Sequence, residues 1–178
     1  MSILKIARMG HPALRARARA IDRGEIKSAA VQKLIDDMIE TMTEYHGVGL
    51  AAPQVHEGMR IFVAAIGPEE EEQERPEAET LVIVNPEITP IGSDVFEDWE
   101  GCLSIPDIRG RVSRSREVRL RGLSRKGERL DQIWQGFSAR VVQHETDHLD
   151  GILFVDRMRS LETLTFLDEY SRYWKQDE

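Results

Sequence analysis

The sequence predicts an α+β fold in which antiparallel strands pack around a central helix carrying an H-E-x-x-H motif, with a further helix towards the N-terminus and another at the C-terminus. Three observations predict it. Apolar residues recur at helical spacing between Ser28 and Gly47 and again across Phe137 to Leu149. Short apolar runs bounded by turn residues fill the stretch between those segments. No repeat or interdomain linker interrupts the 178 residues, and a 40% apolar composition over that length can bury the core of one ordinary domain, so residues 1–178 are expected to form a single domain.

Taken in order, the first twenty residues carry Arg8, Arg15, Arg17 and Arg19 and no acidic residue, and are expected to supply a first strand and loop. Val31, Leu34, Ile35, Met38, Ile39 and Met42 then line one face of a helix, with Ser28 as its N-cap and Gly47 as its C′ residue. Ile61 to Ile66 and Leu81 to Val84 read as strands, the second stopped by Asn85-Pro86. Between them, the acidic Glu69 to Glu79 stretch reads as a solvated hairpin loop. Val118 with Leu120, and Ile133 with Trp134, predict two strands joined across Lys126-Gly127-Glu128. The helix Phe137 to Leu149 ends at Asp150-Gly151, and a last helix is expected over Leu161 to Lys175.

The chemistry sits in His144-Glu145-Thr146-Asp147-His148. Residues four apart on a helix lie about 40° from one another around its axis, so His144 and His148 can present their imidazoles to one cation. Glu145 beside them is not needed as a ligand, which leaves it free to take a proton from water and return it to a leaving group. Two histidines do not complete a catalytic site. Zinc proteases with the longer signature supply a third His six residues on, but this chain keeps only the Gly, as Gly151, and has Phe154 at the His position. Cys102, the one cysteine, is the expected third ligand. A thiolate with two imidazoles leaves one tetrahedral position open, as catalysis requires. A downstream Glu, Glu162 or Glu169, would instead make a zinc protease. A fourth side chain such as His46 would make a noncatalytic binding module with a structural metal and leave Glu145 without a task. His11, His46 and His56 lack ligand spacing to one another and read as surface or capping residues.

Three blocks then stand in a telling order: Gly47-Val48-Gly49-Leu50-Ala51-Ala52-Pro53-Gln54, Glu100-Gly101-Cys102-Leu103-Ser104 and Gln143-His144-Glu145-Thr146-Asp147-His148. Together they resemble the three motifs of the peptide deformylases, and the likeness extends from Ile3, through Arg8-Met9-Gly10-His11-Pro12, to about Met158. It departs at Thr146, where Met is usual, and at Ser113, where Pro is usual.

The resemblance implies hydrolysis of the formyl group from the N-formylmethionine of nascent polypeptides, with formate released. It implies one divalent metal ion, Fe(II) as the working ion, with Zn(II), Ni(II) or Co(II) also compatible with a Cys and two His. It also implies that the Gln54 side-chain amide and the Leu103 backbone N–H stabilise the oxyanion. The backbone of Gly47, Val48 and Gly49 would pair with the extended peptide, and Arg109 would lie near it. Val48, Phe137 and Val141 are placed beside the motifs where an apolar pocket for the methionine side chain could form. Glu100 is expected to stand behind the ligands, and Asp147 to be a structural ion-pair partner.

A formal charge of −8 argues against nonspecific binding to nucleic acid or to anionic membrane, and no apolar run approaches the roughly 20 residues of a membrane span. A lone cysteine excludes an internal disulfide and suits a reducing compartment. Because the resemblance begins at Ile3, the Arg-rich start reads as part of the domain rather than a transit peptide. A soluble cytoplasmic enzyme with transient ribosome contact at most is expected.

Overall fold

Ala29–Glu44 forms a helix because its apolar residues fall on one face and both ends are capped. The structure is a computed structural model that describes residues 2–67 and 80–175; the acidic Glu69 to Glu79 stretch lies outside the described residues. A short helix α1, Arg23–Ile26, precedes this longer one, α2. At the start of α2, Ser28 Oγ accepts from the Val31 N–H at 3.3 Å. At its end His46, not Gly47, takes the left-handed conformation (φ 53°), while the His46 and Gly47 N–H groups bond to the carbonyls of Thr43 and Met42. This is a Schellman closure with a non-glycine C′ residue.

Five strands form the larger sheet: β1 (Gly49–Ala51), β2 (Ile61–Ala65), β3 (Thr80–Pro90), β6 (Glu117–Leu123) and β7 (Arg129–Gln135), in the order β1-β2-β3-β6-β7 and antiparallel throughout. Ile61 and Val63 of β2 pack with Ile35, Met38 and Met42 of α2. Phe62 and Ala64, on the opposite face, pack with Ala139, Val142 and Leu149 of helix α3 (Gly136–Leu149). The sheet centre is therefore covered on both sides, and β2 reads as a continuous apolar run instead of an alternating one. Each fully buried large side chain here contributes roughly 1.5–3 kcal/mol over exposure.

The strand that Asn85-Pro86 was expected to stop continues to Pro90. The register shifts between Val84 and Glu87, and Asn85 adopts φ 52°. The bulge absorbs the proline's missing donor, and the Asn85 side chain bonds to both the N–H and the carbonyl of Ile21.

A second sheet, β4 (Val95–Cys102), β5 (Ile105–Ser115) and β8 (Thr165–Phe166), was not expected from the sequence. After Ile105, the buried positions along β5 are Gly110, Val112 and Arg114, so its inward face is not an apolar series. The expected final helix is correspondingly broken: a 3₁₀ turn spans Leu161–Thr163, β8 pairs with Ile108 and Arg109 of β5, and only Leu167–Tyr173, α5, is helical. Leu161 and Phe166 are exposed, so the apolar face that spacing suggested has nothing to pack against as a helix. A one-turn helix α4, Phe154–Arg157, links α3 to this segment.

The expected N-terminal strand is also replaced. Residues 2–8 lie outside any sheet, Met9 and Gly10 form a turn closed by the His11 N–H on the Arg8 carbonyl, and Ala7 and Met9 donate to the carbonyls of Gln54 and Ser104. The segment thus ties together the two loops on which the site is built.

Candidate active site

Cys102 ends β4, and His144 and His148 stand one turn apart on α3. Cys102 Sγ lies 3.3 Å from His148 Nε2, and the three donor atoms all lie within 4.8 Å of one another. They form the one cluster of metal-ligating type among the described residues; Glu162, Glu169 and His46 are not part of it. Phe154, standing where the longer protease signature has a His, is buried and stacks on His144 with ring centroids 6.4 Å apart. Gly151, which that signature shares, follows the end of α3 at φ 76°, close against the Arg15 backbone.

Second contacts fix these donors. Glu100 meets His144 Nδ1 at 2.9 Å, which leaves Nε2 to face the cluster. Arg114 grips both Glu100 oxygens at 2.9 and 3.0 Å, and Arg140 adds a bond of 2.7 Å to the same carboxylate. Arg114 also donates to Asp147, whose other oxygen accepts from Arg157 at 2.6 Å. Asp147 is therefore an ion-pair partner. Burial pushes the Glu100 carboxyl up, but His144 and Arg114 outweigh it and hold it well below the usual carboxylate range.

Arg114 and Arg140 were not singled out from the sequence. The one signal for Arg114 was its alternation with Gly110 and Val112 along β5.

Glu100 stability is thus fully present above the ordinary glutamate pKa and is lost as pH falls towards the depressed value of the folded protein. Glu100→Gln should remove that part of the acid dependence in urea melts taken at several pH values. It should also destabilise the protein by about 3–5 kcal/mol, because buried Arg140 loses its countercharge and Arg114 keeps only Asp147. Metal affinity should fall about 10–100-fold.

Burial likewise raises the Cys102 thiol, yet the neighbouring His148 and His144 prevail and hold it well below its ordinary value. The pocket favours the thiolate, which is the form that ligates metals. A sulfur and two imidazole nitrogens, converging and fixed from behind, fit a divalent cation with one position left open.

Glu145 is buried against this cluster. Burial pushes its carboxyl up to about 7 against the opposing pull of His144 and His148, and its Oε2 has no hydrogen-bond partner among the described residues. Gly49 gives it room: a Cβ there would sit 2.6 Å from Glu145 Cδ. Gln54 Oε1 accepts from the Ala51 N–H at 2.8 Å, which orients Nε2 towards Cys102 Sγ (3.5 Å) and Ser104 Oγ (3.2 Å). The Ser104 N–H points at the same sulfur, at 3.4 Å. Leu103, between them, lines the cleft and lies close to Gly47, where a Cβ would meet its side chain at 2.9 Å.

A cavity of about 700 Å³ opens over these groups. It brings together all the residues expected to bind substrate: Gly47, Val48, Gly49, Arg109, Phe137 and Val141. Val141 is 7% exposed, whereas Val48 and Phe137 are 40% and 55% exposed, so the pocket has a closed floor and an open lip. Phe137, Val141 and Glu145 follow at helical spacing, so α3 presents pocket and base from one face. The Arg109 guanidinium lies over Gly101 and donates to the Ile108 carbonyl at 2.9 Å. His11 caps a 3₁₀ turn and packs edge-on against His56, away from the cluster. Of the two departures, Thr146 donates to the Val142 carbonyl at 2.7 Å and Ser113 stands in β5 opposite Glu97. The Thr146 hydroxyl is thereby satisfied.

Residues 3–164 match the polypeptide deformylase family. The chain belongs to that family. Over 164 residues it is 42% identical to peptide deformylase 2 of Nostoc sp., covering 92% of this chain and 90% of that one. The Met-Ala-Ser-bound class I type b peptide deformylase of Acinetobacter baumannii matches with a TM-score of 0.81 at 43% identity, over 89% of this chain and all of that one. The peptide deformylase of Thermotoga maritima matches with a TM-score of 0.80 at 36% identity, over 90% of this chain and 100% of that one. The antiparallel α+β architecture is the family's. As a peptide deformylase, this protein is a metal-dependent hydrolase that removes N-formyl groups from newly made polypeptides. No described helix is long and apolar enough to cross a membrane.

Proposed function

We propose that Cys102, His144 and His148 hold the deformylase metal and that Glu145 moves the protons of the reaction. The observation that carries this reading is a buried carboxylate with one unpartnered oxygen, set against a three-donor Cys-His-His cluster at the floor of an open cleft. A divalent cation on those donors would supply Lewis acidity, making water more acidic and the formyl carbonyl more electrophilic.

Glu145 accepts the proton of the attacking water. The oxyanion that forms on the formyl oxygen as its carbon becomes tetrahedral is met by Gln54 Nε2, already oriented through Ala51, and by the Leu103 N–H. As the carbon–nitrogen bond breaks, Glu145 returns the proton to the departing amine, giving formate and a free amino terminus. A pKa near neutrality suits a group that must both take and give a proton.

The native ion in this reading is Fe(II), with Zn(II), Ni(II) or Co(II) as replacements. The substrate is a nascent chain beginning with formylmethionine, in the cytoplasm and in transient contact with the ribosome. Its backbone pairs with Gly47 to Gly49 at the free edge of β1, and its first side chain enters between Val48, Phe137 and Val141. The Met-Ala-Ser peptide bound by the Acinetobacter baumannii relative supports this direction. Arg109 flanks the peptide, and residues 1–178 act as one catalytic domain. Metal analysis after anaerobic purification, with formate release from formyl-Met-Ala-Ser measured on the same sample, tests the assignment. Full activity with no metal bound would overturn it.

Pocket shape gives a second test. Val141→Phe should lower kcat/KM for formyl-Met peptides about tenfold or more, with a much smaller effect on formyl-Ala peptides, because overfilling a packed wall costs about 1–3 kcal/mol. Formyl-norleucine should track formyl-Met in the wild type, and formyl-Asp should fall far behind. Equal kcat/KM values for formyl-Met and formyl-Asp would remove the pocket assignment while leaving deformylation intact.

A further inference from the structure

We propose that the N-terminal segment positions both oxyanion donors through its backbone: Ala7 sets Gln54, and Met9 sets the turn that carries the Leu103 N–H. The proposal rests on the deformylase reading above. Neither Ala7 nor Met9 belongs to the three motifs.

The two donors stand on separate short loops. Gln54 lies in a 3₁₀ helix, Ala52–Val55, whereas Leu103 and Ser104 make the two-residue turn between β4 and β5, where Cys102 pairs with Ile105. So short a helix leaves its last carbonyls to be satisfied from outside. Ala7 does this for Gln54, donating to its carbonyl at 2.7 Å, and Met9 donates to the Ser104 carbonyl at 2.8 Å. Two residues of chain span at most about 7 Å, so the distance between the two loops is bounded by the segment that holds them. The loops also meet through Gln54 Nε2 and Ser104 Oγ at 3.2 Å, but that bond is made by the amide whose place has to be set.

The segment is anchored on either side of these bonds. The Ser2 N–H donates to Asp37 Oδ1 and the Leu4 N–H to Thr41 Oγ1, each at 2.9 Å, and both acceptors are buried residues of α2. Ala7 and Leu14 are buried in one apolar cluster with Ile105, the residue after Ser104. Between them the chain turns: the His11 N–H closes on the Arg8 carbonyl, and Gly10 takes φ 103° while Met9 keeps a negative φ. This is the type II pattern, which favours proline at the position of Met9. Met9→Pro therefore suits the turn and deletes the one N–H that holds Ser104. The Met9 side chain is 53% exposed, so little packing goes with it.

Negative charge on the formyl oxygen develops only as the carbonyl is attacked, so misplaced donors lower kcat and spare binding. The test uses the metal-loaded enzyme with formyl-Met-Ala-Ser. Met9→Pro should lower kcat about 10–100-fold, with KM and the calorimetric Kd of the product Met-Ala-Ser each within about threefold of wild type and metal content unchanged. Ala7→Pro should do the same. Combined with Gln54→Ala, it should lose less than about threefold beyond Gln54→Ala alone, because the donor that Ala7 sets is gone. A general loosening of the fold would give the same factor in both backgrounds. Undiminished kcat in Met9→Pro, a product Kd weakened as much as kcat, or an equal factor for Ala7→Pro with and without Gln54 would overturn the proposal and leave the deformylase reading standing. Should Ala7→Pro fail to fold, lactic acid at position 7, installed by cell-free translation, deletes the same N–H, keeps the methyl group and is held to the same outcomes. No formate from the metal-loaded wild type would instead remove the deformylase reading and this proposal with it.

Discussion

Glu145→Gln is expected to lower kcat for formate release by about 10³-fold or more while the enzyme keeps its metal. Proton transfer by a positioned side chain contributes about 10²–10⁴-fold, and one carboxylate here serves both the attack and the departure. The amide is nearly isosteric, so the space that Gly49 leaves for it is still filled, and none of the three metal donors is touched. It cannot accept a proton from water. The environment sharpens the expectation: Oε2 has no protein partner among the described residues, and burial rather than an ion pair dominates its raised pKa. The acidic limb of the pH profile of kcat/KM should vanish from whatever activity remains, because deprotonation of Glu145 produces that limb. Formate assays and metal analysis on one preparation decide it. Wild-type turnover in a metal-replete Gln variant would exclude Glu145 as the base.

The helix bearing His144, Glu145 and His148 was legible in the sequence because its signal is local: i, i+4 spacing on one face, a turn at Asp150-Gly151, and a motif whose chemistry requires those residue types. The helix from Ser28 and the two central strands were legible for the same reason, since burial on both faces makes β2 uniformly apolar. What escaped was held together across the sheet. Buried Arg114 interrupts the inward face of β5, and its partners Glu100 and Asp147 lie 14 and 33 residues away. No periodicity reports such a pair. The C-terminal segment misled for the opposite reason: Leu161, Leu164 and Leu167 keep helical spacing, but the exposed edge of β5 takes Thr165 and Phe166 into a strand first. Leu167 therefore reached the cleft by a pairing that local spacing could not reveal, whereas Val141 reached it along a helix that local spacing described well.

Cys102→Ser should weaken metal binding more than about 100-fold, beyond the upper end of what loss of an outer partner of a ligand costs. The serine hydroxyl is a harder and far less acidic donor than a thiol, and it must be deprotonated to match the thiolate's charge. The site assists the sulfur but not the oxygen in the same degree. His148 and His144 already hold the thiol well below its ordinary pKa, and both the Gln54 side-chain amide and the Ser104 N–H are directed at Sγ. A shorter side chain would pull back from both donors. Glu100, Arg114 and Arg140 stay paired in this variant, so the fold should persist and the loss should be one of metal, not of structure. Competition with a chromophoric chelator measures the affinity, and circular dichroism on the same sample checks the fold. If the third ligand were Glu162 or Glu169, the serine variant would bind metal as tightly as wild type, and Glu169→Ala would release it. That pattern would transfer the site to the protease arrangement, in which Cys102 has no role. The 3.3 Å approach of Cys102 Sγ to His148 Nε2 predicts the reverse: metal lost with the cysteine and retained without either glutamate.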